Sequence, residues 1–177
     1  MTTTTPATTT TTQVYRVYIK ATPQAIWDAI TKPEWTDRYG YGGRVEFDLR
    51  PGGPYRHPTT EAMRAMGAGD LAVDGEVIES DPPRRLVQTW RMVMGGPELE
   101  AEGFTRLTYE IEEGQGGVSK LTLIHDLAGA PQLALLVGGQ MEDTGAGGGW
   151  NWVLSGLKTV LETGTSLDWQ GGSPDQN

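Results

Sequence analysis

The last third of the chain constrains the fold more than any other part. A strand-type run, Leu121-Thr122-Leu123-Ile124-His125, leads through a loop to the glycine-rich stretch Gly145-Ala146-Gly147-Gly148-Gly149. A segment with helical periodicity then opens on Trp150. Trp150, Val153, Leu154, Leu157, Val160 and Leu161 fall at i, i+3, i+4, i+7, i+10 and i+11, one apolar stripe about three turns long. The spacing predicts a helix over 149–163. A helix with one such stripe, arriving after several strands, has to lay it on a sheet.

The segments before it supply that sheet. Tyr15, Val17 and Ile19 share one face of a first alternating strand. Thr22 before Pro23 is a helix cap followed by proline at the first helical position, and Pro33 stops that helix after Ile26, Trp27 and Ile30. Glu34 to Arg38 gives a further turn or two. Val45, Phe47 and Leu49 alternate next, and the turn residues Pro51-Gly52-Gly53-Pro54 return the chain as a short partner strand. Residues 57–69 have weak periodicity and read as a loop with a helical turn. Strands follow at Gly75 to Glu79, at Leu86, Gln88 and Trp90, at Leu107, Tyr109 and Ile111, and at Leu121, Leu123 and His125. Tight turns, among them Glu112 to Gly117, make the pairing antiparallel. The predicted class is α+β: a curved antiparallel sheet of six or seven strands around the long C-terminal helix, with two short helices after the first strand.

The chain divides into a threonine-rich leader (1–12) expected to be disordered, one domain (13–164) and a polar tail (165–177). The leader lacks the basic start and apolar core of a signal peptide. With no cysteine, thiol catalysis and Cys-type zinc sites are excluded. The net charge of -9 and pI near 4.7 are the wrong sign for a phosphate backbone, so nucleic acid is not an expected partner. No apolar run is long enough to span a bilayer, and a soluble cytoplasmic protein is the default expectation.

Several stretches in order resemble one family: Ala21 to Thr31, Leu49 to Tyr55, Gly75-Glu76-Val77, Asp81 to Trp90, Leu121 to His125 and Gly149-Trp150. Together they are similar to the SRPBCC (START-like) superfamily, and within it to the branch named for homologues of the activator of the heat-shock protein 90 ATPase. The resemblance implies a helix-grip fold, in which the curved sheet grips the C-terminal helix with a cavity between them. It implies little about reaction, because members range from lipid and polyketide binders to cyclases and hydrolases.

Strand parity then selects the residues that should face the helix stripe. Trp35, Tyr39, Tyr55, Trp90, Tyr109, Leu123, His125, Trp150 and Leu154 are expected to line the cavity. Tryptophan and tyrosine combine a large apolar face with one polar handle, the chemistry of a ligand pocket, although ordinary core packing explains Trp90 and Tyr109 equally well. The leading functional expectation is a binding protein for a small hydrophobic or aromatic, polyketide- or lipid-like molecule, with no cofactor. An enzyme of cyclase, dehydratase or hydrolase type is the alternative, with His125 as base and Tyr55, Tyr109 or Arg91 orienting. Against it, no nucleophile or carboxylate stands at a diagnostic spacing from His125, which reads more simply as a hydrogen-bonded structural histidine. A chaperone-associated interaction module ranks last, since the chain lacks room for an extra N-terminal domain, and a homodimer is kept open. Two histidines, His57 and His125, with no motif joining either to carboxylates, do not make a metal site. The glycine run lacks the Lys-Ser/Thr of a phosphate loop and is read as a hinge before the closing helix.

Overall fold

A computed structural model describes residues 11–167. The first strand, β1 (Thr12–Ile19), alternates as its sequence requires: Val14, Arg16 and Tyr18 point to solvent, and Ile19 is buried. It takes in Thr12, assigned above to the leader, because the ladder to the last strand continues to Asp126 and Thr11 O accepts from Leu127 N. The rest of the leader, residues 1–10, and residues 168–177 of the tail lie outside the described residues.

Helix α1 (Pro23–Thr31) begins as predicted, with Thr22 Oγ1 accepting from Ala25 N at 3.1 Å and Pro23 in the first turn. It buries Ile26, Trp27 and Ile30 and gives way to the single turn α2 (Pro33–Thr36). Six strands follow: β2 (Glu46–Phe47), β3 (Pro54–Pro58), β4 (Leu71–Asp81), β5 (Arg85–Met92), β6 (Thr105–Glu113) and β7 (Ser119–Asp126). With β1 they form one seven-stranded sheet, every pair antiparallel, in the order β1-β7-β6-β5-β4-β3-β2. The predicted strand at Val45 to Leu49 shrinks to two residues. Asp48 N still bonds Pro54 O, but the turn closed by Gly53 N on Arg50 O lifts Leu49 off the ladder. In the other direction β4 outgrows its prediction, and a bulge between Val77 and Glu79 resets the parity that had obscured it.

Three short helices sit in the connections: α3 (Glu61–Ala65), α4 (Pro97–Ala101) and α5 (Pro131–Val137). The long helix α6 (Gly149–Thr163) has the predicted limits, and it packs against β1, α1 and α5. Trp150, Leu154, Leu157 and Val160 of its stripe are buried. Register places Leu121, Leu123 and His125 opposite Ile111, Tyr109 and Leu107 on the concave face, and Leu154 and Leu157 join these leucines in one core. Each such side chain contributes about 1.5–3 kcal/mol through burial. This is the helix-grip arrangement, with the packed core at the end of the sheet that meets the C-terminal half of α6.

Candidate functional site

The other end of the groove is not filled. Around the first turns of α6 the concave face encloses a cavity of about 520 Å³. Tyr55 and His57 of β3, Ala72 and Val73 of β4, Trp90 and Met92 of β5 and Tyr109 of β6 form its sheet wall. Trp150 and Val153 of α6, Leu136 and Val137 of α5, and the loop from Tyr39 to Gly42 form the opposite wall, while Met63, Leu99 and Met141 stand around them. The space persists because β2 and β3 are short and only brief helices roof this end, whereas Leu154 and Leu157 of α6 pack into the core at the far end.

Of the nine residues expected to line the cavity, Tyr39, Tyr55, Trp90, Tyr109 and Trp150 do so. The other four do not. Trp35 lies half-buried under the Arg38 guanidinium, whose carbon is 4.8 Å from the ring centroid. Leu123 and Leu154 belong to the packed core, one layer deeper along the groove. His125 is fully buried behind the tryptophans. For the strand residues Tyr55, Trp90, Tyr109, Leu123 and His125 parity named the concave face correctly, and position along the groove separates wall from core.

His125 is the centre of a closed network. Trp150 Nε1 donates to His125 Nδ1 at 3.0 Å, and His125 Nε2 lies 2.7 Å from Thr105 Oγ1, which in turn donates to the Trp90 carbonyl at 2.8 Å. Since the threonine proton is committed to that carbonyl, the imidazole proton sits on Nε2. Trp90 packs edge-on to the imidazole at 5.3 Å between centroids, and Trp150 does the same at 5.8 Å. Burial drives the pKa of His125 down to about 3, only partly opposed by Asp126. A neutral imidazole with both nitrogens occupied holds two wall tryptophans in place and has no free nitrogen for proton transfer. Arg91, offered above as an orienting group, lies outside the cavity, where it forks onto Asp74 at 3.0 and 2.7 Å and stacks on Phe104.

Apart from Thr36, whose hydroxyl is spent on Gly43 O and Val45 N, and the exposed Glu98 and Gln132, the polar side chains that meet the cavity are phenols, indoles and one histidine. Tyr39 donates to Ala29 O at 2.8 Å, and the Tyr55 hydroxyl is 3.4 Å from His57 Nδ1. The Tyr109 hydroxyl has no hydrogen-bond partner among the described residues. Burial raises the pKa of all three phenols, and they lie close enough that Tyr109 also raises the values of Tyr39 and Tyr55. His57 Nε2 donates to Gly42 O at 2.8 Å, and burial lowers its pKa, so it too is neutral at pH 7. His57 was passed over as a wall residue, yet its spacing of two from Tyr55 on one strand face was the available signal. Leu136 and Val137 were hidden inside a segment read as loop, although Pro131 followed by Leu133-Ala134-Leu135-Leu136-Val137 has helical start and composition.

The glycine stretch forms the upper lip. Gly149 N donates to the Tyr41 hydroxyl at 2.9 Å, and Trp152 Nε1 donates to Gly40 O at 3.0 Å, which ties the start of α6 to the 39–43 loop. Gly149 has φ +64, and a Cβ there would run into the Val137 carbonyl. No group of three or more His, Asp or Glu side chains converges as a metal site among the described residues, and no described helix is long and apolar enough to cross a membrane.

The sequence profile of the family described as Activator of Hsp90 ATPase homolog 1-like protein matches residues 20–162. The chain belongs to this family. No curated protein matches the chain. Among solved structures it is similar to CalU16 from Micromonospora echinospora, with 23% identity over 92% of this chain and 69% of that one, at a TM-score of 0.59. DynU16, a protein in the dynemicin biosynthetic locus, aligns at 20% identity over 88% of this family member and 49% of its own chain, with a TM-score of 0.59. The Aha1 dimer from Colwellia psychrerythraea aligns at 17% identity over 86% and 97% of the two chains, with a TM-score of 0.55. At these identities the likeness establishes the shared fold.

Proposed function

We propose that this protein binds one small, apolar, ring-bearing molecule between the sheet and the start of α6, and holds it without turnover. The observation that carries the reading is the aromatic cavity of about 520 Å³, within the size range of small-molecule sites and walled mainly by Tyr, Trp, Met and aliphatic side chains. Two features favour holding over catalysis. His125 is neutral and spent on Trp150 and Thr105, and Arg91 is spent on Asp74. Neither stands ready to move a proton to or from a molecule in the cavity. A neighbour of the same fold comes from a biosynthetic locus, which fits the binding of a small molecule.

Native mass spectrometry of the protein purified from its own host tests this. The expected result is an adduct of one apolar molecule per chain that is released unchanged after prolonged incubation with the protein. Chemical conversion of that molecule would instead support an enzyme. Absence of any adduct, together with no response of tryptophan fluorescence to two- and three-ring aromatics, would refute the binding reading. A second copy of the chain is also proposed as a partner, by analogy with the Colwellia dimer, and light scattering of the purified protein decides it.

A further inference from the structure

The polarity of the cavity narrows the ligand further, on the premise that the cavity is a binding site. Among the described residues its wall contains no Lys or Arg. Its acidic residue, Glu98, stands exposed at the rim, and its histidine, His57, is held neutral by burial. A carboxylate or phosphate entering this space would lose its hydration with no cation to meet it, and it would pass Glu98 on a protein of net charge -9. The cavity is therefore built against anions.

Its inner end nevertheless has unspent hydrogen-bonding capacity. The Tyr109 hydroxyl has no partner among the described residues and belongs to the wall. Behind the wall, two positions from the cavity residue Trp90 on the same strand, Gln88 is 1% exposed, and neither its amide nitrogen nor its amide oxygen has a partner among the described residues. Register pairs Gln88 with Leu107, between Trp90 and the position of Tyr109, and strand parity turns it to the concave face with Trp90. A fully buried amide with both ends unspent is rare and calls for an explanation, and a ligand or bridging water arriving from the adjacent cavity supplies one. We infer that the ligand is an uncharged ring compound carrying a hydroxyl or carbonyl group, and that this group seats on the Tyr109 hydroxyl, with the Gln88 amide behind the wall as its second partner through one bridging water. Fatty acids and other carboxylates are then not its ligands.

Three matched probes test the idea by titration of tryptophan fluorescence: naphthalene, 2-naphthol and 2-naphthoate at pH 7. The expected order is 2-naphthol tightest, about fivefold tighter than naphthalene for one net neutral hydrogen bond, and 2-naphthoate weakest. In Tyr109→Phe the affinity for 2-naphthol falls to that for naphthalene, while naphthalene itself is held as before. Gln88→Met supplies a readout that a structural glutamine would not give. Replacing an unsatisfied buried amide by an apolar chain of similar shape should raise the thermal midpoint and at the same time weaken 2-naphthol. Equal binding of 2-naphthol and naphthalene, preference for 2-naphthoate, or a Gln88→Met variant with a lower midpoint and unchanged 2-naphthol binding would each overturn the inference while leaving the cavity as a binding site. If none of the three probes binds and native mass spectrometry finds no adduct, the binding site itself is refuted.

Discussion

His125 offers the sharpest test of the site's architecture, because its protonation is coupled to folding. In the folded protein the imidazole must be neutral: Nδ1 accepts from Trp150, and burial brings its pKa from 6.5 to about 3. The unfolded chain binds a proton at about 6.5, so between the two values it carries more protons than the folded protein, and stability rises with pH. The contribution of His125 is complete above pH 6.5 and is lost as the pH falls toward 3. Integrated from pH 7 to pH 5, the loss is about 2 kcal/mol, and it is the same for any folded value below about 4. The comparison is with His125→Gln, which does not titrate and keeps an amide oxygen able to accept from Trp150. Urea unfolding followed by circular dichroism at pH 7, 6 and 5 gives both slopes, and His57, present in both proteins, cancels. The wild type should lose about 2 kcal/mol more than the variant across this range, although the variant starts lower at pH 7. Parallel losses in the two proteins, or an imidazole carbon resonance that titrates near pH 6.5 in the folded wild type, would show that His125 is not the sealed neutral group described.

Two further outcomes follow from the cavity's frame. Gly149→Ala should cost about 2 kcal/mol or more in urea unfolding, because it combines a left-handed φ of +64 with a collision on the Val137 carbonyl; a loss below about 0.5 kcal/mol would mean that the start of α6 shifts freely. Glu102 accepts from Gln132 N at 2.9 Å and Leu133 N at 3.0 Å and so caps α5, which carries the wall residues Leu136 and Val137. Glu102→Ala should cost about 1 kcal/mol and speed hydrogen exchange along α5, and unaltered exchange there would refute the capping role.

Particular residues show how far local patterning reached. The α6 stripe from Trp150 to Leu161, the Thr22-Pro23 start of α1 and the alternation of Tyr15, Val17 and Ile19 were legible because each is set by a repeat of 3.6 or 2 residues or by a cap within one turn. The class and the antiparallel pairing of the sheet followed from short turns such as those joining β4 to β5 and β6 to β7, whereas the strand order, with β1 beside β7, came only from the structure. The inward face was legible too, and five of the nine residues chosen for it line the cavity. What periodicity does not encode is depth along the groove. Tyr109, Leu123 and His125 share one face by register, yet Tyr109 meets open space, Leu123 is core, and His125 is sealed by partners 20 and 25 residues away in sequence, Thr105 and Trp150. Gln88 looked like any alternating strand residue until the tertiary structure left its amide without a partner. Burial, protonation and unmet hydrogen bonds depend on which groups converge from distant elements, and only the packed chain brings them together.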